Sequence, residues 1–183
     1  YSLAVVVAKT GKKVLLIDGD LRSPSLHQYG GLKNDRGLSN LLAGASIEDH
    51  IQFDSSWNLS VLTTGPIPPS PAQLLSGDRF SGLISQFEDQ FDHVIVDLPP
   101  VLGLADAILM GRCVQGIVYI IKAEKTPLKA IRGSLQRLRA GGVRLFGVIV
   151  TQVDYSKHSY GYGYGYGYGY SYGYGDSGKA NVE

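Results

Sequence analysis

The sequence predicts an α/β fold, a mainly parallel sheet flanked by helices, and three observations carry that expectation. Two short apolar runs, Val14-Leu-Leu-Ile17 and Val94-Ile-Val96, each end in an aspartate, as buried parallel strands do where they stop at a ligand-bearing sheet edge. Segments with helical spacing alternate with further apolar runs, the pattern of right-handed β-α-β crossovers. At Tyr155 mixed sequence gives way to alternating Tyr and Gly, so the fold is expected to end near residue 154.

Taken in order, Leu3, Val6 and Val7 share one helical face, Gly11 fits the turn after a helix, and Lys12 and Lys13 suit a helix end. The chain opens at Tyr1 without methionine, as if inside a helix already under way, and reads as a fragment. Val14 to Arg22 is a buried strand running into turn-forming Asp and Gly. Leu26–Tyr29 forms a helical turn before Gly30-Gly31, and a short helix lies between Gly37 and Gly44. Ser46–Ile51 is expected as another, with Ser46 and Asp49 as a rough capping box. Trp57–Thr63 alternates as a strand, and the prolines of Gly65–Pro71 make a rigid loop.

Ala72–Leu75 and Asp78–Phe91 read as helices, the second carrying Phe80, Leu83, Ile84, Phe87 and Phe91 at three- and four-residue spacing. His93–Asp97 is a second buried strand ending in an acid. A helix over Asp106–Arg112, a strand over Gly116–Lys122, a helix over Pro127–Ala140 and a strand over Leu145–Val150 complete the pattern. Thr126 is expected to cap the last helix, with Pro127 at its first position.

Composition excludes several classes. The 183 residues allow one domain and a tail, and a net charge of +1 supplies no global field for nucleic acid or anionic lipid. A single cysteine, Cys113, rules out an internal disulfide framework and reads as a small core residue. Leu3–Ala8 and Gly116–Ile121, the longest apolar runs, fall short of the ~20 residues of a spanning helix. His27, His50, His93 and His158 show no metal spacing. Nine of the twelve tyrosines fall from Tyr155 onward, and glycine at every second place there opposes a stable strand, so the tail reads as disordered and exposed.

The two acid-ended strands define the candidate chemistry. Asp18 and Asp20 at one strand end repel each other unless a cation or a proton lies between them, and Asp97 ends the second strand. These are the positions where a nucleotide-hydrolysing sheet holds Mg²⁺, Asp97 mostly through water, with Pro99-Pro100 stiffening the loop. The bland alternative, an Asp that only caps the next helix, explains one strand more easily than the pair with Arg22 between them.

Val14–Arg22 resembles the Walker A′ motif, and Val94–Pro100 the Walker B motif, of bacterial tyrosine kinases that control capsule and exopolysaccharide export. Leu21-Arg-Ser-Pro-Ser-Leu-His27, Ser70-Pro-Ala-Gln-Leu-Leu-Ser76 and the tyrosine-rich end are also similar to that family. The resemblance implies a P-loop NTPase-like, deviant-Walker sandwich, shared with partition and septum-placement ATPases. On that basis residues 1–154 are a partial kinase domain and 155–183 a flexible tail.

By the same resemblance the chain is a protein-tyrosine autokinase that uses ATP and Mg²⁺. Asp18 matches the acid that orients or deprotonates the tyrosine hydroxyl, its division of labour with Asp20 left open. Asp20 and Asp97 match the acids near magnesium, Arg22 the motif's arginine, and Thr151 lies where the family usually has an adenine-reading Asn. The acceptors would be Tyr160, Tyr162, Tyr164, Tyr166, Tyr168, Tyr170, Tyr172 and Tyr174, largely those of a neighbouring subunit in a ring. The implied partners are further copies of the chain and a membrane-anchored polysaccharide co-polymerase or chain-length regulator, at the cytoplasmic face of the plasma membrane. No nucleic acid is expected.

Ala8–Lys13 has lysines but not the spaced glycines of a phosphate-cradling loop, and no other stretch supplies one. The expectation is therefore that the loop and the central strand lie upstream of Tyr1 and that this piece alone is inactive. A partition-type ATPase and an inactive regulatory module phosphorylated in trans are the alternatives.

Overall fold

Strand β1 (Val14–Asp18) is buried along its whole length because both of its faces are covered. The computed structural model describes residues 1–154. Around β1 lie helix α1 (Ser2–Ala8), α2 (Leu26–Gly30), α3 (Leu38–Ala43), β2 (Gln52–Asp54), β3 (Leu59–Leu62), α4 (Pro71–Leu75), α5 (Arg79–Glu88) and β4 (His93–Asp97). They are followed by α6 (Asp106–Gly111), β5 (Ile117–Lys122), α7 (Leu128–Ala140) and β6 (Leu145–Thr151).

The strand period of two divides the core. Leu15 and Ile17 point into one cluster with Leu38, Leu41, Phe80, Leu83, Phe87 and Met110, beneath α3, α4 and α5. Val14 and Leu16 point into the other, with Ala4, Val5 and Ala8 of α1 and Leu59 and Val61 of β3. A third cluster joins Val101, Ala107, Ile117, Leu138 and Val143. Burying Phe80 and Phe87 alone contributes about 1.5–3 kcal/mol each, so the spacing read in α5 is what anchors that helix.

The strands are mainly parallel, but they form two sheets rather than one. The first has the order β2-β3-β1-β4, with β1 parallel to both neighbours and β2 antiparallel at the edge. The second pairs β5 with β6 in parallel. Because β4 has a strand partner on one side only, it is half-exposed rather than buried as its apolar sequence predicts. Val118 and Ile120 of β5 and Val148 and Val150 of β6 are exposed as well.

Several local expectations are corrected. In α1 the buried residues are Ala4, Val5 and Ala8, while Leu3 and Val6 face solvent, since the small alanines let the helix approach β1 closely. Ser46–Ile51 is a turn with Asp49 at positive φ, not a helix. The expected strand from Trp57 begins only at Leu59. Trp57 and Asn58 belong to a β2–β3 turn, in which Asp54 accepts the Ser56 N–H at 3.0 Å and Asn58 has positive φ. Helix α7 starts after Pro127, which is its extended cap residue, and the Thr126 hydroxyl accepts the Lys122 N–H at 3.1 Å instead of capping the helix.

Candidate functional site

The register of the central pair brings the two acid-ended strands together: Asp18 is the direct neighbour of Asp97. The loop after β1 is pinned to β4 by the Gly19 N–H, which donates to the Asp97 carbonyl at 2.8 Å. A Cβ on Gly19 would stand 2.8 Å from that oxygen, so only glycine allows this approach.

Asp18 is 1% exposed, and its carboxylate accepts the N–H groups of Asp20 at 3.2 Å, Ser25 at 3.1 Å and Leu26 at 3.0 Å. It thereby ties the loop and the start of α2 to the end of β1. Asp20 lies on the loop, where its Oδ1 accepts the N–H groups of Arg22 and Ser23. The Asp97 carboxylate makes no hydrogen bond among the described residues and is solvent-exposed as a side chain. Partial enclosure of its acid group raises its pKa, and Asp18 and Asp20 add to this.

Arg22 pairs with Asp106, the first residue of α6. Its Nε donates to Oδ2 at 2.7 Å and its Nη2 to Oδ1 at 3.3 Å. This fork raises the guanidinium pKa further. Thr151 stands apart from all four residues, on β6 of the second sheet, its hydroxyl donating to the Ile121 carbonyl at 3.3 Å. Tyr160 to Tyr174 lie outside the described residues.

Two contributors escaped the sequence reading. Thr63 and Thr64, fully buried after β3, hold the floor of the site: the Thr64 hydroxyl is 3.1 Å from the Asp18 carbonyl and 3.4 Å from that of Asp20. The Thr63 and Thr64 carbonyls in turn accept the N–H groups of Leu38 and Ser39 at the start of α3, both at 2.8 Å. The available signal was a polar Thr-Thr-Gly directly behind an apolar strand, at the same sheet edge as Asp18. The other is Asp106, which resembles an ordinary helix-start acid until its contact with Arg22 is seen.

Among the described residues no group of three or more His, Cys, Asp or Glu side chains is gathered closely enough to hold a metal by itself. Asp20 and Asp97 still fit Mg²⁺, which is bound by one or two carboxylates together with substrate phosphates and retained water. Oδ2 of Asp20 and both oxygens of Asp97 accept no hydrogen bond among the described residues.

No family model matches the chain. It is 43% identical over 159 residues to tyrosine-protein kinase YwqD of Bacillus subtilis (strain 168), covering 86% of this chain and 67% of that protein. With tyrosine-protein kinase etk of Escherichia coli (strain K12) it shares 39% identity over 153 residues, covering 83% of this chain but 21% of that longer protein. The solved kinase domain of E. coli ETK superposes with a TM-score of 0.78 at 35% identity, covering 90% of this chain and 65% of that one. The septum site-determining protein MinD of Pyrococcus horikoshii, solved with Mg-ADP, has a TM-score of 0.65 at 22% identity, covering 81% of this chain and 61% of the other, which is a likeness of fold.

Proposed function

The chain belongs to the bacterial tyrosine-protein kinases, and from that premise we propose that it serves as an ATP-dependent protein-tyrosine autokinase controlling synthesis and export of capsule or exopolysaccharide. The observation that carries the reading is the Asp18–Asp97 pairing, with Asp20 and Arg22 on the loop directly behind it.

Asp20 and Asp97 hold the metal side of the site, since they retain free carboxylate oxygens. Mg²⁺ supplies charge neutralisation on the transferring phosphates. Asp18, enclosed and committed to three amide groups, organises the loop and keeps Asp20 in place for the metal. In the transfer, the tyrosine Oη bonds to the γ-phosphorus, the bond to the ADP oxygen breaks, and the phenolic proton passes to a carboxylate. Arg22 faces phosphate charge, and Thr151 belongs to the nucleotide side by resemblance alone.

The acceptors in this proposal are Tyr160, Tyr162, Tyr164, Tyr166, Tyr168, Tyr170, Tyr172 and Tyr174, presented by a neighbouring copy in a ring. A membrane-anchored co-polymerase or chain-length regulator would hold the kinase at the inner face of the plasma membrane. No helix among the described residues is long and apolar enough to cross a membrane, so the anchor in this reading is a partner or a further segment.

The test is made on the full gene product incubated with Mg-ATP and analysed by mass spectrometry. Phosphotyrosine is expected between Tyr160 and Tyr174, and Asp97→Asn should lower it by about tenfold or more while the protein stays folded. Phosphate confined to serine or threonine would refute the kinase reading, and undiminished labelling of Asp97→Asn would remove that residue from the site.

A further inference from the structure

We propose that Asp106 is a positioning residue of this site, whose task is to aim the guanidinium of Arg22 at the phosphates of the nucleotide. The inference rests on the kinase reading and adds to it a residue outside both motifs.

Asp106 is 1% exposed, and a carboxylate that deep needs a reason. It opens α6, yet the cap residue of that helix is Ala105 and no side-chain capping bond is made. Among the described residues the only side chain bonded to Asp106 is Arg22, through Nε and Nη2. Arginine carries five N–H donors in a rigid plane. Two go to Asp106, and three remain on a side chain that is 39% exposed. Holding one edge of a planar fork fixes the direction of the other edge, so the remaining donors are preset for an anion and lose little freedom when one binds.

The backbone supplies the rest of the argument. The Arg22 N–H is bound to Asp20, the Gly19 N–H to the Asp97 carbonyl, and Asp106 follows the Pro99-Pro100 loop that leaves β4. Among the described residues the Arg22–Asp106 pair is therefore a second hydrogen-bonded tie between the two acid-bearing loops, and the only one made by side chains. Without it the arginine regains its rotamers, and the loops are joined by the Gly19 bond alone.

The experiment uses the full gene product, with Arg22→Ala, Asp106→Asn and the double variant. Affinity for Mg-ADP is read by calorimetry, phosphotyrosine formation by mass spectrometry, and the thermal midpoint is recorded for each. Asp106→Asn should weaken Mg-ADP binding and slow labelling by about 10- to 100-fold, and the double variant should be no worse than Arg22→Ala. Losses that multiply in the double variant would overturn the proposal, because Asp106 would then act without Arg22. Unchanged Mg-ADP affinity in Arg22→Ala would overturn it as well. Should Asp106→Asn fail to fold, Arg22→Lys decides: it keeps the charge but not the fork, so a loss matching Arg22→Ala is expected, and full affinity would refute the positioning role. If Mg-ADP binding follows the expected pattern and no phosphotyrosine forms in any variant, the kinase reading fails while the positioning of Arg22 stands.

Discussion

Ionising Asp97 is disfavoured where it sits. Its acid group is partly enclosed and faces the Asp18 and Asp20 carboxylates, so its pKa is raised. A raised carboxyl pKa means that folding favours the protonated form. The stabilising contribution is complete below about pH 4 and is lost as pH rises through the folded-state value. Asp97→Asn cannot ionise and escapes that loss. Without Mg²⁺ the variant should therefore melt at or above the wild-type temperature at pH 7, with the difference closing toward pH 4. Mg²⁺, which favours the charged form, should narrow the difference at pH 7. Thermal melts across pH with and without MgCl₂ check this, and a variant less stable at pH 7 than at pH 4 relative to wild type would contradict it. Close by, Gly37 is required by sterics rather than by backbone angles: a Cβ there would lie 2.0 Å from the Thr63 carbonyl oxygen, within the contact that seats α3 under the site.

At the scale of elements, burial separates strands that look alike in sequence. Leu16 in β1 is buried between sheet and α1, whereas Ile120 in β5 is 60% exposed although both occur in apolar runs. Leu16→Ala should cost about 2–5 kcal/mol, and Ile120→Thr should stay within about 0.5 kcal/mol. Denaturant titration of both variants tests the assignment, and equal losses would mean that β5 is as enclosed as β1. The sequence pattern found both strands because apolar, β-branched runs mark strands in general. It overstated the burial of β4, since what covers a strand is a tertiary property. It also missed β2, whose three residues, Gln52, Phe53 and Asp54, are too few for a period to be read.

For the whole molecule, all three buried clusters draw on residues 4–143. Residues 1–153 form one compact unit. A chain ending at residue 154 should therefore keep its thermal midpoint within about 2–4 °C of the full chain, the equivalent of about 1 kcal/mol for a domain of this size, while losing the phosphotyrosine signal altogether. Calorimetry and mass spectrometry on the truncated gene product report the two effects separately. Phosphotyrosine persisting at full yield would place the acceptors outside the tail instead.

The sequence by itself determined the strands that carry Asp18 and Asp97, the helix that buries Phe80 and Phe87, the family, and the change of composition that begins at Tyr155. Each of these is written in local order: an apolar run, a three- and four-residue spacing, a motif, a change of composition. Only the tertiary structure decided that Asp18 is enclosed by three amide groups, that Thr64 supports the loop from beneath, and that the charge of Arg22 is held by Asp106, 84 positions away. The physical reason is that hydrogen bonds and desolvation depend on which groups meet in space, and such partners leave no mark in the spacing of either segment. The pair of aspartates was legible because parallel strands bring their ends to one edge, whereas the arginine's anchor became visible only when α6 was seen beside that edge.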